Sequence, residues 1–184
     1  MADHAHNLIR KISNGDQKAF EELYYMYYKQ LCQFAFLILH SKELSEEVVL
    51  DIFFNLWAKR SNLSGIQNIR AYLYTAVRHQ AIDYQRSQQR YPESDINAYE
   101  IEIVSPEPSV DDIIEYQQFL NLLQRAFDKL PERCRMITRM HFNDHLKYKE
   151  IAEILDISRK TVEAQITIAI RKIKEIFDTQ GWNK

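Results

Sequence analysis

At 184 residues and a formal net charge of −2, the chain can bury one large core or two small ones, and it lacks the overall positive charge of a generic nucleic-acid coat. Three glycines and four prolines among abundant Leu, Ile, Glu, Lys, Gln and Ala leave too little turn chemistry for a β-sandwich and set an all-α expectation. No apolar run approaches the roughly 18–20 residues that cross a bilayer, and the start MADHAHNLIRKI lacks the apolar core of a signal peptide, so a soluble cytoplasmic protein without membrane insertion is expected.

A short helix precedes the turn signal Asn14-Gly15. After it, Ala19, Phe20, Leu23, Tyr24, Tyr27, Leu31, Phe34, Ala35 and Ile38 repeat with the 3.6-residue period of one buried helix face. Ser45 is placed to cap a second helix, whose inward stripe is Val48, Val49, Ile52, Phe53, Leu56 and Trp57, with Glu46, Glu47 and Asp51 mostly outside. Ser61 to Gly65 breaks the pattern. A third helix from about Asn68 to Arg86 buries Ile69, Tyr72, Leu73, Ala76, Val77, Ala81 and Tyr84 and turns Arg70, Tyr74, Arg78 and Arg86 another way. These helices close a first bundle over residues 1–87.

Periodicity then disappears. Residues 88–108 are rich in Pro, Ser and acids and predict a flexible acidic linker. Ser109 with Asp112 resembles a capping box that opens a second bundle, 109–184, whose first helix is marked by Ile113, Tyr116, Leu120, Leu123, Phe127 and Leu130. Pro131 suits the first turn of the next helix, which carries Met136, Ile137 and Met140 and ends at Asn143-Asp144. Two closely spaced helices follow, Tyr148 to Leu155 and Ser158 to about Phe177.

Charge is unevenly shared. Arg133 to Lys174 holds ten Lys/Arg against five Asp/Glu, whereas Glu93 to Glu115 holds eight acids and no Lys or Arg. Cys32 and Cys134 belong to no CxxC pattern and read as small buried hydrophobes in a reducing compartment. His141, His145 and Cys134 are the only suggestive metal cluster, but a turn signal runs through His141-Phe-Asn-Asp-His145, so neither metal nor cofactor is expected.

The last two helices, separated by Asp156-Ile157, predict a helix-turn-helix. In that motif the second helix enters the major groove N-terminus first, so short, polar and basic groups are needed just past the turn, as in Ser158, Arg159, Lys160 and Thr161. Ala152 fits a crowded helix crossing, and Ile157, Val162 and Ile166 supply the inward positions. The bland alternative is an amphipathic hairpin with solvated charges.

At these residues the chain resembles the extracytoplasmic-function sigma factors, the smallest specificity subunits of bacterial RNA polymerase. The run LPERCRMITRMHFNDHLKYKEIAEILDISRKTVEAQITIAIRKIKE is similar to their fourth region. GDQKAFEELYYMYYKQL, SEEVVLDIFFNLWAKR and NIRAYLYTAVRHQAIDYQR are similar to their second. The resemblance implies a non-enzymatic protein that binds polymerase core, through the β′ clamp coiled coil and the β flap, and promoter DNA, under control of an anti-sigma factor. It implies clamp-binding residues Glu47, Leu50, Asp51 and Asn55. Downstream-element residues would be Arg70, Tyr74, Arg78, His79 and Arg86, with the loop Ser61 to Asn68 able to hold an extruded base. The upstream element would meet Ser158, Arg159, Lys160, Thr161, Glu163 and Gln165. The chain departs from the family's pattern at His79, where Asn is usual, at Asp156, where Gly is usual but Asp tolerates the left-handed conformation, and at Lys147, where Ser or Thr commonly caps. Two rivals remain open: a conventional helix-turn-helix regulator, which would bind duplex DNA alone as a dimer, and an enzyme with an N-terminal catalytic bundle, for which no phosphate loop, nucleophile elbow or HExxH is present.

Overall fold

The computed structural model describes residues 2–88 and 110–181, and every regular element among them is helical. The described residues form two compact units, the second comprising residues 110–152 and 157–181. The linker expected over 88–108 lies outside the described residues except for Gln88, as does Ser109 of the expected capping box.

The first unit contains α1 (Ala2–Ser13), α2 (Gln17–Leu39), α3 (Lys42–Ala58), a 3-10 segment (Arg60–Gly65) and α4 (Ile69–Gln88). Gly15, at φ 86°, makes the turn between α1 and α2, and Asp16 caps α2 by accepting from the Ala19 amide at 3.1 Å. Helix α2 is central. It packs against α3, α4 and α1, and α1 also lies against the 3-10 segment. The expected α2 face is buried at Ala19, Leu23, Tyr27, Leu31, Phe34, Ala35 and Ile38; Phe20 and Tyr24 are half-buried, their rings against Phe53 of α3 at 6.1 and 5.0 Å.

Two expectations for this unit are corrected. Ser45 does not cap α3: the helix begins a turn earlier, because Ser41, just after the left-handed His40, already has the extended geometry a cap requires and accepts from the Leu44 amide at 3.3 Å. Ser45 is instead buried inside the helix, its hydroxyl donating to the Ser41 carbonyl. The tyrosines of α4 are exchanged as well. Tyr74, expected to face outward, is fully buried with its ring 5.1 Å from Phe34; Tyr72, expected in the core, is 44% exposed, and Tyr84 is half-buried. Tyr74 lies three residues before Val77 and seven before Ala81, so it shares their helix face, which is the face turned to α2.

Four further helices follow, α5 (Val110–Asp128), α6 (Glu132–Phe142), α7 (Tyr148–Leu155) and α8 (Arg159–Thr179), and all but the last three residues of α7 belong to the second unit. Leu130, Cys134 and Ala169 form a buried cluster with Phe127, Ile168 and Ile173 packed on it. Pro131 stands at the cap of α6, one residue before the first turn in which it was expected: its ψ of 143° keeps it outside the helix. Met136 is half-buried, and Ile137 and Met140 are fully buried. Both cysteines are buried free thiols; burial pushes Cys32 up to about 11 and also raises Cys134.

Truncating Tyr74 removes a large core ring, so Tyr74→Ala is expected to lower the stability of the first unit by about 3–5 kcal/mol, while Tyr72→Ala stays within about 0.5 kcal/mol. Chemical denaturation of the full chain followed by circular dichroism checks both, and equal effects would return Tyr72 to the core.

Candidate functional site

Three surfaces carry the residues singled out in the sequence. The first is the helix-turn-helix of α7 and α8. Helix α7 starts without a hydroxyl cap at Lys147, but Glu150 reaches back so that the Lys147 amide donates to its Oε2 at 2.8 Å, which is half of a capping box. The helix closes with a Schellman arrangement: the Ile157 amide donates to the Ala152 carbonyl at 3.0 Å, the Asp156 amide to Glu153 at 3.4 Å, and Asp156 takes the left-handed conformation at φ 52°. Asp thus fills the position where glycine was anticipated. Ile151 and Ala152 are buried, as are Val162 and Ile166 on α8.

Ser158 then caps α8. Its Oγ accepts from the Thr161 amide at 3.0 Å and lies 2.8 Å from Thr161 Oγ1, so both hydroxyls take part in starting the helix. Arg159, Lys160 and Glu163 project into solvent, whereas Gln165 is half-buried and its carbonyl accepts from Cys134 Sγ at 3.2 Å. The exposed Thr167 continues the Glu163 face one turn on, and its Oγ1 donates to the Glu163 carbonyl at 2.9 Å. The helix therefore offers a basic N-terminus followed by an outward polar row, the pattern that reaches phosphates and base edges.

The second surface is the outer side of α3. Glu47, Leu50, Asp51 and Asn55 are all exposed, as expected, with Leu50 at 49%. Sequence reading missed Phe54, which is 71% exposed one turn beyond Leu50. The signal was available, since Ile52 and Phe53 already hold the inward face and Phe54 stands about 200° round the helix from Ile52. Glu43 in the first turn has its carboxyl held below the usual range by hydrogen bonds from its own backbone amide and the Ser41 hydroxyl, which favours negative charge at this end of α3. Asp51 is tied across to α4, where Gln80 Nε2 donates to its Oδ2 at 3.1 Å.

The third surface is α4 with the segment before it. Asn68 caps α4 through Oδ1, which accepts from the Ala71 amide at 3.1 Å. Leu63 is buried and anchors the 3-10 segment, while Ser61, Asn62, Gly65, Gln67 and Asn68 are exposed. Arg60 fixes its start, donating to the Trp57 carbonyl at 3.0 Å with its guanidinium 4.7 Å from the Trp57 ring. Arg70 and Arg78 are half-buried, His79 and Arg86 are exposed, and Arg86 pairs loosely with Asp83 at 3.8 Å. The exposed Tyr72 lies seven residues before His79 and fourteen before Arg86, on one outward strip. It, and not the buried Tyr74, is the tyrosine this strip presents.

A feature with no counterpart in the sequence reading is an apolar cleft of about 620 Å³ in the second unit, lined by Leu123, Phe127, Phe142, Ile170, Ile173 and Phe177. Phe142 and Ile170 are about half exposed at its lip. The His/Cys cluster is otherwise occupied: His141 Nδ1 donates to the Leu146 carbonyl at 2.9 Å, and Cys134 is turned to Gln165.

Comparison with known proteins finds two family matches in chain order. Residues 23–91 match the family model of sigma-70 region 2, and residues 120–173 match that of sigma-70 region 4. The chain is 26% identical over 166 residues to the ECF RNA polymerase sigma-E factor of Escherichia coli (strain K12), covering 86% of each protein. It is 23% identical over 165 residues to the ECF RNA polymerase sigma factor SigW of Bacillus subtilis (strain 168), covering 86% of this chain and 88% of that one. Among solved structures it is similar to CnrH in complex with the cytosolic domain of CnrY, at 20% identity and a TM-score of 0.59 over 96% of this chain and 98% of that one. It is equally similar, at 20% identity and a TM-score of 0.59, to the sigma factor RpoE in complex with the anti-sigma factor NepR from Bartonella quintana, over 88% and 98%. At these identities the structural likeness is one of fold.

Because Asp156 bears a side chain at positive φ, Asp156→Gly is expected to leave stability unchanged or raise it by up to about 1 kcal/mol, while Asp156→Val lowers it by about 1–2 kcal/mol. Thermal unfolding of the two variants tests this, and a tolerated valine would mean that the turn is not left-handed.

Proposed function

This chain belongs to the extracytoplasmic-function sigma factors, and from that membership we propose that residues 1–87 dock on polymerase core and open the downstream promoter element while residues 109–184 read the upstream one. The observation that carries this is the order of the two family matches, region 2 over residues 23–91 and region 4 over 120–173, within one chain. As a sigma factor the protein binds RNA polymerase core and promoter DNA and directs initiation. Catalysis and its metal ions are left to the polymerase, and the chain works in the cytoplasm. Among the described residues no helix is long and apolar enough to cross a membrane.

The outer side of α3 is the docking face for the β′ clamp coiled coil. Leu50 and Phe54 supply apolar contact, while Glu47 and Asp51 steer a basic partner, with Asn55 beside them. On α4, Arg70, Arg78, His79 and Arg86 face the single-stranded downstream element, Tyr72 in place of the buried Tyr74 takes the stacking role, and the segment from Ser61 to Asn68 holds an unstacked base. On α8, Arg159, Lys160, Glu163 and Gln165 meet the upstream duplex, with Ser158 and Thr161 building the helix start that presents them. The apolar cleft on the second unit is of a size to take side chains of a helix from the β flap. Control by an anti-sigma factor follows from the family, and covering these same surfaces is the simplest way for it to act.

Run-off transcription with purified core and a pool of promoter fragments tests the reading. Initiation is expected to require the chain, to fall about tenfold or more in Asp51→Arg through charge reversal at the docking face, and to fall about 3–10-fold in Lys160→Ala through loss of a phosphate or base contact. A protein that neither supports transcription nor co-elutes with core, yet binds duplex DNA as a dimer, would be a conventional regulator instead.

A further inference from the structure

We propose that Gln80 is a positioning residue for polymerase docking: its side-chain amide, reaching from α4, sets the carboxylate of Asp51 on the docking face of α3. The inference rests on the docking reading of α3 and adds a role to a residue that neither DNA reading nor core packing uses. Its basis is a single contact between elements. Gln80 Nε2 donates to Asp51 Oδ2 at 3.1 Å across 29 residues of sequence, joining the helix that presents the docking strip to the helix that presents Arg78 and His79.

An exposed aspartate on a helix samples several rotamers, and a partner that needs one of them must restrict it on binding. Donation to Oδ2 holds that oxygen toward α4 and leaves Oδ1 free for an incoming cationic group, so part of the ordering is done before the partner arrives. Gln80 is suited to this because it is neutral. It fixes the carboxylate without cancelling the negative charge that steers the encounter, as a lysine or arginine would partly do. Gln80 is also half-buried whereas Asp51 is exposed, so the donor is the better-held member of the pair. Since α4 carries the downstream-element residues, a shift of α4 on taking up single-stranded DNA would move the donor. By linkage, the same contact would then let core binding and strand capture favour each other.

The test is equilibrium binding of the full chain, labelled at its N-terminus, to purified RNA polymerase core by fluorescence anisotropy, with thermal midpoints recorded alongside. Gln80→Leu, which keeps bulk and removes the donor, is expected to weaken core binding roughly 3–10-fold with the thermal midpoint unchanged. Gln80→Lys, which keeps an N–H donor within reach but sets a positive charge beside the carboxylate, is expected to restore only part of that affinity. In an Asp51→Ala background the Gln80→Leu penalty is expected to vanish, because the group being positioned is gone. If Asp51→Ala weakens binding but Gln80→Leu does not, or if the Gln80→Leu penalty survives undiminished without Asp51, the positioning role is overturned and the docking reading stands. If Asp51→Ala binds core as tightly as wild type, the docking role of Asp51 falls and the proposal falls with it.

Discussion

The packing of α3 and α4 against α2 and against each other is the constraint on which the first unit's function depends. A helix surrounded on two sides must be apolar over most of its circumference, and α2 is, with buried residues at Leu23, Leu31, Phe34, Ala35 and Phe36. Each partner helix needs only one apolar face, which leaves the opposite face of α3 and of α4 free to carry groups chosen for binding. Ile52 and Phe53 go inward, Phe53 against Phe20 and Tyr24, and Phe54, about 200° round the helix from Ile52, goes outward. Tyr74 goes inward against Phe34, and Tyr72 therefore goes outward. The exposed aromatics of this unit are placed by the core in the same step that buries their neighbours.

This accounts for what was legible in the sequence. Long helices with strong periodicity could be read along with their inward faces, and α8 could be read almost to its cap because Ser158 and the basic residues after it are local signals. What failed were choices between neighbours. Ser41 and Ser45 are both competent caps by type, and only the left-handed turn at His40 decides for Ser41. Tyr72 and Tyr74 are chemically identical, and their assignment depends on the phase of the helix relative to α2, which drifts if the inward stripe is centred a residue too early. Gln80 and Asp51 could not be paired at all, since nothing local links residues on different helices. The apolar cleft among Leu123, Phe127, Ile170 and Phe177 was invisible for the same reason: each residue reads as core, and only the spacing of three helices leaves the gap.

The three departures from the family pattern have different physical weights. Asp156 and Lys147 concern backbone geometry, and the structure absorbs both: Asp occupies the left-handed turn position, and Glu150 supplies the missing cap from three residues downstream. A helix start and a helix end can be satisfied by more than one side chain, so these substitutions leave the presentation of α8 intact. His79 is different in kind. It is exposed on the outward strip of α4 between Tyr72 and Arg86, where its own donors and acceptors meet whatever binds there. Imidazole offers a ring face and one or two N–H donors where an amide offers a planar donor–acceptor pair, so the substitution changes what can be read and leaves the fold untouched.

Neither unit has the charge of a protein that holds DNA strongly by itself. The net charge is −2, and the basic excess is limited to two stretches, Lys59 to Arg86 with five Lys/Arg against one acid and Arg133 to Lys174 with ten against five. Counterion release from so few cations gives modest affinity that salt removes readily. Two modest sites on one chain become effective when a scaffold holds them at the spacing of two promoter elements, because the second contact is then made at a high local concentration. The core-docking face proposed on α3 would make such a scaffold available. On that proposal promoter selectivity requires both contacts at once, and a protein that covers α3 alone would silence DNA recognition without touching a DNA-binding residue.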